Sequence, residues 1–454
     1  MRVLEQLEPN KVFHYFEDIC SIPHPSYKEK KISDYLVNFA KEHGLEHYQD
    51  DLYNVVMIAP ATAGYENEEP IIIQGHMDMV CEKEPGVEID FENDGLKLMI
   101  DGDYVTAQGT TLGGDDGIAV AYALAILDSP EIAHPRLEVV ITVSEEVGME
   151  GASGIDLSML RGHKLLNIDS EVEGVMTVSC AGGNSSICHL PVGYEQADGI
   201  AVNVAVKGLK GGHSGVEIDK GRANANLVAG RLLLALERKG ITFGIAALAG
   251  GAKQNAIPRE SAVCLVCAAE MKDALLACLH ETMEHLQHEY AVTDPDLHME
   301  LTEKTVAGVS VLTQESARAV SLLVNNLPGG IQSMSANITG LVETSLNMGI
   351  MELNEKELHL EFAVRSSVIS ARDTLTERIK QMVEYVGGSV DVIGVYPAWE
   401  YKQDSVMRED AVRIYEKMYG KEPTVEAIHA GLECGILAGK IKDLDGISIG
   451  PDMI

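Results

Sequence analysis

Over the first 186 residues, short β-branched and aliphatic runs alternate with stretches of helical periodicity. Residues 54–59, 70–74, 137–143 and 164–168 read as strands. Between the second and third lies IAVAYALAILDS, residues 118–129, whose small and apolar side chains suit a buried helix. Such alternation predicts an α/β domain built on a mostly parallel sheet with helices on both faces. From about residue 190 the texture changes. Segments such as AVNVAVKG and SAVCLVCAAE alternate polar and apolar positions, with helical patterns over 223–238 and 272–289 between them. Alternating strands predict an antiparallel sheet with one exposed face, here an α+β insertion over 187–397. The chain then returns to helix (410–419), strand (424–428), helix (432–440) and strand (446–449). The first domain is therefore expected to be discontinuous, 1–186 and 398–454.

Length and charge narrow the picture. A chain of 454 residues exceeds what one hydrophobic core usually supports. With 70 acidic against 35 basic residues, the formal charge of −35 repels phosphate backbones and anionic lipid, so neither nucleic acid nor membrane is an expected partner. The opening MRVLEQLEPN has no long apolar core, and no apolar run approaches the ~18 residues of a membrane span, so a cytoplasmic location is expected. The eight cysteines are scattered, unlike a disulfide framework. Cys264 and Cys267 lie inside AVCLVCAA, where their odd offset puts them on opposite faces of a strand and favours buried thiols.

Candidate chemistry gathers where predicted strands end, the place where open α/β sheets bind ligands. IIIQGHMDMV delivers His76 and Asp78, an imidazole suited to metal and a carboxylate suited to holding its second N–H. By itself, H-x-D fits a surface histidine equally well. TTLGGDDGIAV places Asp115 and Asp116 between glycines ahead of a helix, which is also a common acidic helix start. LEVVITVSEEVG carries Glu145 and Glu146 after an apolar strand. Adjacent residues point in different directions, so one can bind metal while the other handles protons. KLLNIDSE adds Asp169. Together these form a nitrogen-and-oxygen ligand set suited to zinc, with manganese or cobalt as substitutes. An H-E-x-x-H helix, a Walker A loop and a G-x-S-x-G elbow are absent.

The blocks QGHMDMV, TTLGGDDG, TVSEEVGMEG and LLNIDSE resemble the aminoacyl-histidine (Xaa-His) dipeptidases, the peptidase D branch of the di-zinc family that includes carnosinase, aminoacylase and succinyl-diaminopimelate desuccinylase. The likeness continues through GLKGGHSGVEI, GGAKQNAIPRE, YPAWEY and AIHAGLECG. It implies a catalytic domain with an inserted lid or dimerisation domain, a homodimer, and metal-dependent hydrolysis of short peptides, most of all Xaa-His dipeptides. It further implies that His76, Asp115, Glu146 and Asp169 bind two Zn2+, with Asp115 bridging. Glu145 would be general base and acid toward a metal-bridging water, Asp78 would hold His76, and His213 would stabilise the oxyanion in the partner's site. Asn255, Arg365, His429 and Glu433 would contact substrate.

One departure bears on this. Relatives carry a second metal-ligating histidine shortly after the strand that here ends ISIGPDMI, and this histidine is expected beyond Ile454. His429 is a weaker stand-in, because its block aligns elsewhere in the site. A deacylase or tripeptidase at the same centre, and a catalytically silent metal-binding scaffold, are the competing readings.

Overall fold

The computed structural model describes residues 2–454. The chain divides into two compact units, one of Met1–Cys180, Tyr401–Ala427 and Leu432–Ile454, the other of Ala181–Glu400 and Ile428–Gly431. The first crossing thus falls at 180/181 rather than 186/187. The short piece Ile428–Gly431 belongs with the insertion although its flanks do not.

The first unit holds an eight-stranded sheet. In chain order its strands are β1 (Glu46–Gln49), β2 (Val55–Ala59), β3 (Ile71–His76), β4 (Leu137–Thr142), β5 (Lys164–Asn167), β6 (Val175–Cys180), β7 (Thr424–Ile428) and β8 (Asp445–Ser448). Their spatial order is β1-β2-β4-β3-β5-β8-β6-β7. The central β4, β3, β5 and β8 are parallel, while β1 and β2 and the β6–β8 pair run antiparallel. The parallel character read from the sequence therefore describes the middle of the sheet.

Continuous apolar runs make these middle strands because both of their faces are covered. Ile73, Val139 and Ile141 enter a core with the helices α1 (Asn10–Ser21), α2 (Lys30–Glu42) and α3 (Gly114–Leu127). Ile72, Val140 and Leu165, which face the other way, are just as buried. Removing each such side chain from water is worth about 1.5–3 kcal/mol. The helices α1 and α2 lie outside the elements read from the sequence, although α1 buries Val12, Tyr15, Phe16, Ile19 and Cys20 at helical spacing.

The second unit is a nine-stranded antiparallel sheet. Four helices, Ala225–Arg238, Lys272–Glu289, Gln314–Asn326 and Ile369–Tyr385, share one core with the sheet residues that point toward them, Val202, Val204, Leu358, Leu360 and Phe362 among them. The first of these helices is capped by Asn224, whose side chain accepts from the Asn226 and Leu227 N–H groups. Cys267 joins this core and Cys264 packs on the opposite face, the alternation expected of a strand. Among the described residues no helix is long and apolar enough to cross a membrane.

Candidate metal centre

Order β4-β3-β5 makes β3 the point where connections leave in opposite directions, so the carboxyl ends of these strands frame a crevice. His76 ends β3 and is 1% exposed. The helix α3 starts directly against it because residue 75 is glycine. A Cβ there would lie 2.3 Å from Asp116 Oδ2 and 2.5 Å from Ala119 Cβ. The peptide between Asp115 and Asp116 is cis.

The ring of His76 is held on both edges. Nδ1 lies 3.0 Å from the Asp78 carbonyl oxygen and 3.4 Å from Asp78 Oδ1, which places its proton on that side. Nε2 turns to Asp115 Oδ1 at 3.0 Å, with Asp169 Oδ1 at 3.8 Å. Ser26 donates to Asp78 Oδ2 at 2.8 Å. The loop after β4 is tied down as well. Ser144, which adopts a positive φ of 54°, donates its N–H and hydroxyl to buried Glu29. Glu145 and Glu146 follow at once.

Two sets of possible ligand atoms result, His76 with Asp115 and Glu146, and His76 with Asp116 and Asp169, the atoms of each set lying within 4.8 Å of one another. Among the described residues no lysine or arginine pairs with any of these carboxylates; their ion pairs are with His76 alone. Burial, with the neighbouring carboxylates adding to it, holds Asp116 and Asp169 well above the usual carboxylate range and pushes Glu146 up to about 7. Glu145 is raised mainly by burial. Burial also opposes ionisation of Asp115, but the hydrogen bond and charge of His76, together with a hydrogen bond to Asp169, outweigh it and lower the pKa. Asp116 Oδ2 accepts from the His76 N–H at 3.1 Å, while its buried Oδ1 has no partner. Crowded carboxylates lacking counter-charge, with an imidazole whose outer nitrogen is preset, fit divalent cations.

Glu433 is 0% exposed, and its Oε2 accepts from Gln74 at 2.5 Å and Thr142 at 2.6 Å. Burial chiefly pushes this carboxylate up to about 8, and its other oxygen, Oε1, is buried without a partner. Gln74 and Thr142 were not among the candidates read from the sequence, and Asp116 was read there only as part of the glycine-flanked acidic pair with Asp115. The signal available for Gln74 and Thr142 is a polar residue at a buried position of an otherwise apolar strand.

The other expected residues lie in the second unit. His213 Nδ1 accepts from the Gly215 and Val216 N–H groups, each at 3.2 Å, which leaves its proton on Nε2. Burial, then the Arg365 cation, lowers its pKa, so the ring is neutral and a donor. Asn255 is exposed, and its carbonyl accepts from Ser214 N–H at 2.8 Å. Arg365 donates from Nη1 to the Tyr396 hydroxyl at 2.8 Å. His429 is 6% exposed and shares a 2.7 Å hydrogen bond with Ser345.

Residues 204–294 match the model of a peptidase dimerisation domain of M20 type. The chain is 36% identical over 462 residues to the cytosol non-specific dipeptidase of Escherichia coli K12, spanning 99% of this chain and 93% of that protein. It is also 36% identical to the crystal structure of aminoacylhistidine dipeptidase from Vibrio alginolyticus, with a TM-score of 0.93 over 99% of this chain and 91% of that one. Aminopeptidase PepT from Bacillus cereus shares the fold at 16% identity and a TM-score of 0.53, spanning 98% of this chain and 90% of that one.

Proposed function

The chain belongs to the M20 family of metallopeptidases, and from that footing we propose that it hydrolyses dipeptides, Xaa-His dipeptides foremost, at two zinc ions held by His76, Asp115, Glu146 and Asp169. The observation that carries this reading is the convergence of these residues, remote in sequence, on one buried imidazole without a lysine or arginine to balance them. Two divalent cations held there would supply acidification of a water and polarisation of the scissile carbonyl.

The chain's own groups do the rest. Asp115, whose Oδ1 lies nearest His76 Nε2, would be the ligand shared by the two ions. Glu145 takes the proton of the attacking water on its carboxylate and passes it to the leaving amine. Its burial raises its pKa, which suits a group that must both accept and release a proton. Asp78 fixes the His76 ring, and Asp116 and Glu433 stiffen the floor. His213, offered by the second copy of a homodimer, donates from Nε2–H to the oxygen that gains negative charge. Arg365 is assigned to the substrate carboxylate, and Asn255 and His429 are assigned to substrate contact as well. The dimerisation domain supports the homodimer, and the similarity to a relative named as cytosolic supports a cytoplasmic location.

The test is a substrate panel run on chelator-stripped enzyme restored with Zn2+, Mn2+ or Co2+. Gly-His and β-Ala-His should be cleaved only after restoration, and fastest with the preferred ion. Preference for tripeptides or N-acyl amino acids would replace the substrate assignment, and turnover without metal would end the reading altogether.

A further inference from the structure

A second cluster of imidazoles and carboxylates lies on the sheet of the insertion. Strand Glu357–Ser366 pairs with Gly182–Pro191 so that His359 stands directly across from His189, and Ser389–Tyr396 flanks the latter on its other side. Alternate residues of these strands, Leu358, Leu360, Cys188 and Leu190, face the helices and the core. Glu357, His359, Glu361, His189 and Asp391 therefore share the opposite face, partly open to solvent.

The two rings are 5.3 Å apart by their centroids, and both direct Nδ1 at one oxygen. His189 Nδ1 lies 3.0 Å from Glu357 Oε1 and His359 Nδ1 lies 4.0 Å from the same atom. Each outer nitrogen meets a carboxylate of its own. His359 Nε2 is 2.9 Å from Glu361 Oε1, and His189 Nε2 is 3.6 Å from Asp391 Oδ2.

A neutral imidazole carries one N–H, so it cannot satisfy acceptors at both nitrogens. The His359 proton serves Glu361 from Nε2, which leaves the His359 Nδ1 lone pair facing Glu357 Oε1, while His189 bonds the same oxygen through Nδ1. A cation among the three atoms would take up that lone pair and replace the His189–Glu357 hydrogen bond. Carboxylates on the outer nitrogens are also what orients metal-bound histidines and raises their basicity. Tetrahedral zinc with bonds of about 2.0–2.2 Å separates its ligand atoms by roughly 3.3–3.5 Å, between the two spacings seen here.

We propose that His189 Nδ1, His359 Nδ1 and Glu357 Oε1 form a separate binding site for a divalent first-row transition ion of zinc type, with water completing the coordination. Imidazole donors favour zinc, copper or nickel over magnesium or calcium. The site is distinct from the residues assigned to substrate. Arg365 is six residues further along the strand that carries His359, about 20 Å away.

The experiment counts zinc per chain after chelator stripping, reloading with zinc chloride and dialysis. The wild type should hold one ion more than His189→Ala/His359→Ala, whose changes leave Xaa-His hydrolysis unchanged and whose melting temperature falls below the wild type's only when zinc is present. An Asp115→Ala chain, crippled at the proposed catalytic centre, should keep that additional ion, so the two sites fail separately. Glu361→Gln should weaken zinc at this site by about 10–100-fold in a competitive chelator titration. Equal zinc content in the wild type and the double variant would overturn the site, leaving imidazole–carboxylate ion pairing only.

Discussion

The backbone N–H of Glu145 donates to Asp78 Oδ1 at 3.0 Å. The carboxylate that steadies His76 therefore also steadies the turn carrying Glu145 and Glu146, and one residue couples the ends of β3 and β4.

Asp78→Ala removes both anchors at once. Metal affinity should fall by about 10–100-fold, the usual effect of losing a histidine's outer partner, and turnover should fall with it even at saturating metal, because Glu145 is no longer held. Chelator competition together with kcat at high zinc checks this. Unchanged affinity would mean that the Asp78 carbonyl alone, 3.0 Å from His76 Nδ1, fixes the ring.

Glu145 and Glu146 should separate cleanly. Glu145→Gln is expected to lower kcat by about 10²–10⁴-fold while metal content stays at the wild-type level. Glu146→Gln should lose metal. Elemental analysis beside initial rates reads both, and the reverse pattern would exchange the two roles.

Gly75→Ala drives a methyl group into Asp116 Oδ2 and Ala119 Cβ, both closer than any real contact allows. Since α3 must retreat from β3, the expected cost is about 1–3 kcal/mol, read as a lowered urea midpoint with weaker metal retention. A midpoint equal to the wild type's would show that the helix start yields freely.

His213 acting across a dimer has a signature of its own. His213→Ala should cost about 10²–10³-fold in kcat, as loss of one oxyanion donor does. Mixing it with the Glu145→Gln chain should restore activity, because the mixed dimer contains one site with both an intact Glu145 and an intact His213. If the histidine serves its own chain, mixing restores nothing.

His429 gives a pH dependence. Burial, then the Arg365 cation, lowers its pKa from 6.5 to about 4. The unfolded chain therefore binds a proton that the folded chain refuses between those values. This contribution to stability is present above pH 6.5 and is lost as the pH falls toward 4, on the order of 3 kcal/mol over the whole window. Urea unfolding of metal-stripped protein at pH 7 and pH 5 should show the loss, and His429→Gln should flatten it. Equal slopes in the two proteins would mean that His429 already titrates normally.

Much of the fold was legible in the chain because both sheets follow local rules. Residues 55–59 form a fully buried strand and read as a continuous apolar run, whereas residues 202–207 alternate buried and more open positions and read as one face of an antiparallel sheet. The amphipathic helices α1 and α2 were equally legible in principle, their apolar positions recurring at helical spacing.

Strand ends also announced His76, Glu146 and Asp169, because a chain leaving a parallel sheet must place its next residues on the crevice side, and Asp115 came from a glycine-flanked acidic pair at a helix start. Charge and pairing were a different matter. Nothing local separates Asp116, buried with a free oxygen, from its more open neighbour Asp115, or withdraws Glu433 beneath Gln74 and Thr142. Nor does any spacing bring His189 opposite His359. Desolvation and contact between residues remote in sequence set those properties, and both exist only once the chain has closed on itself.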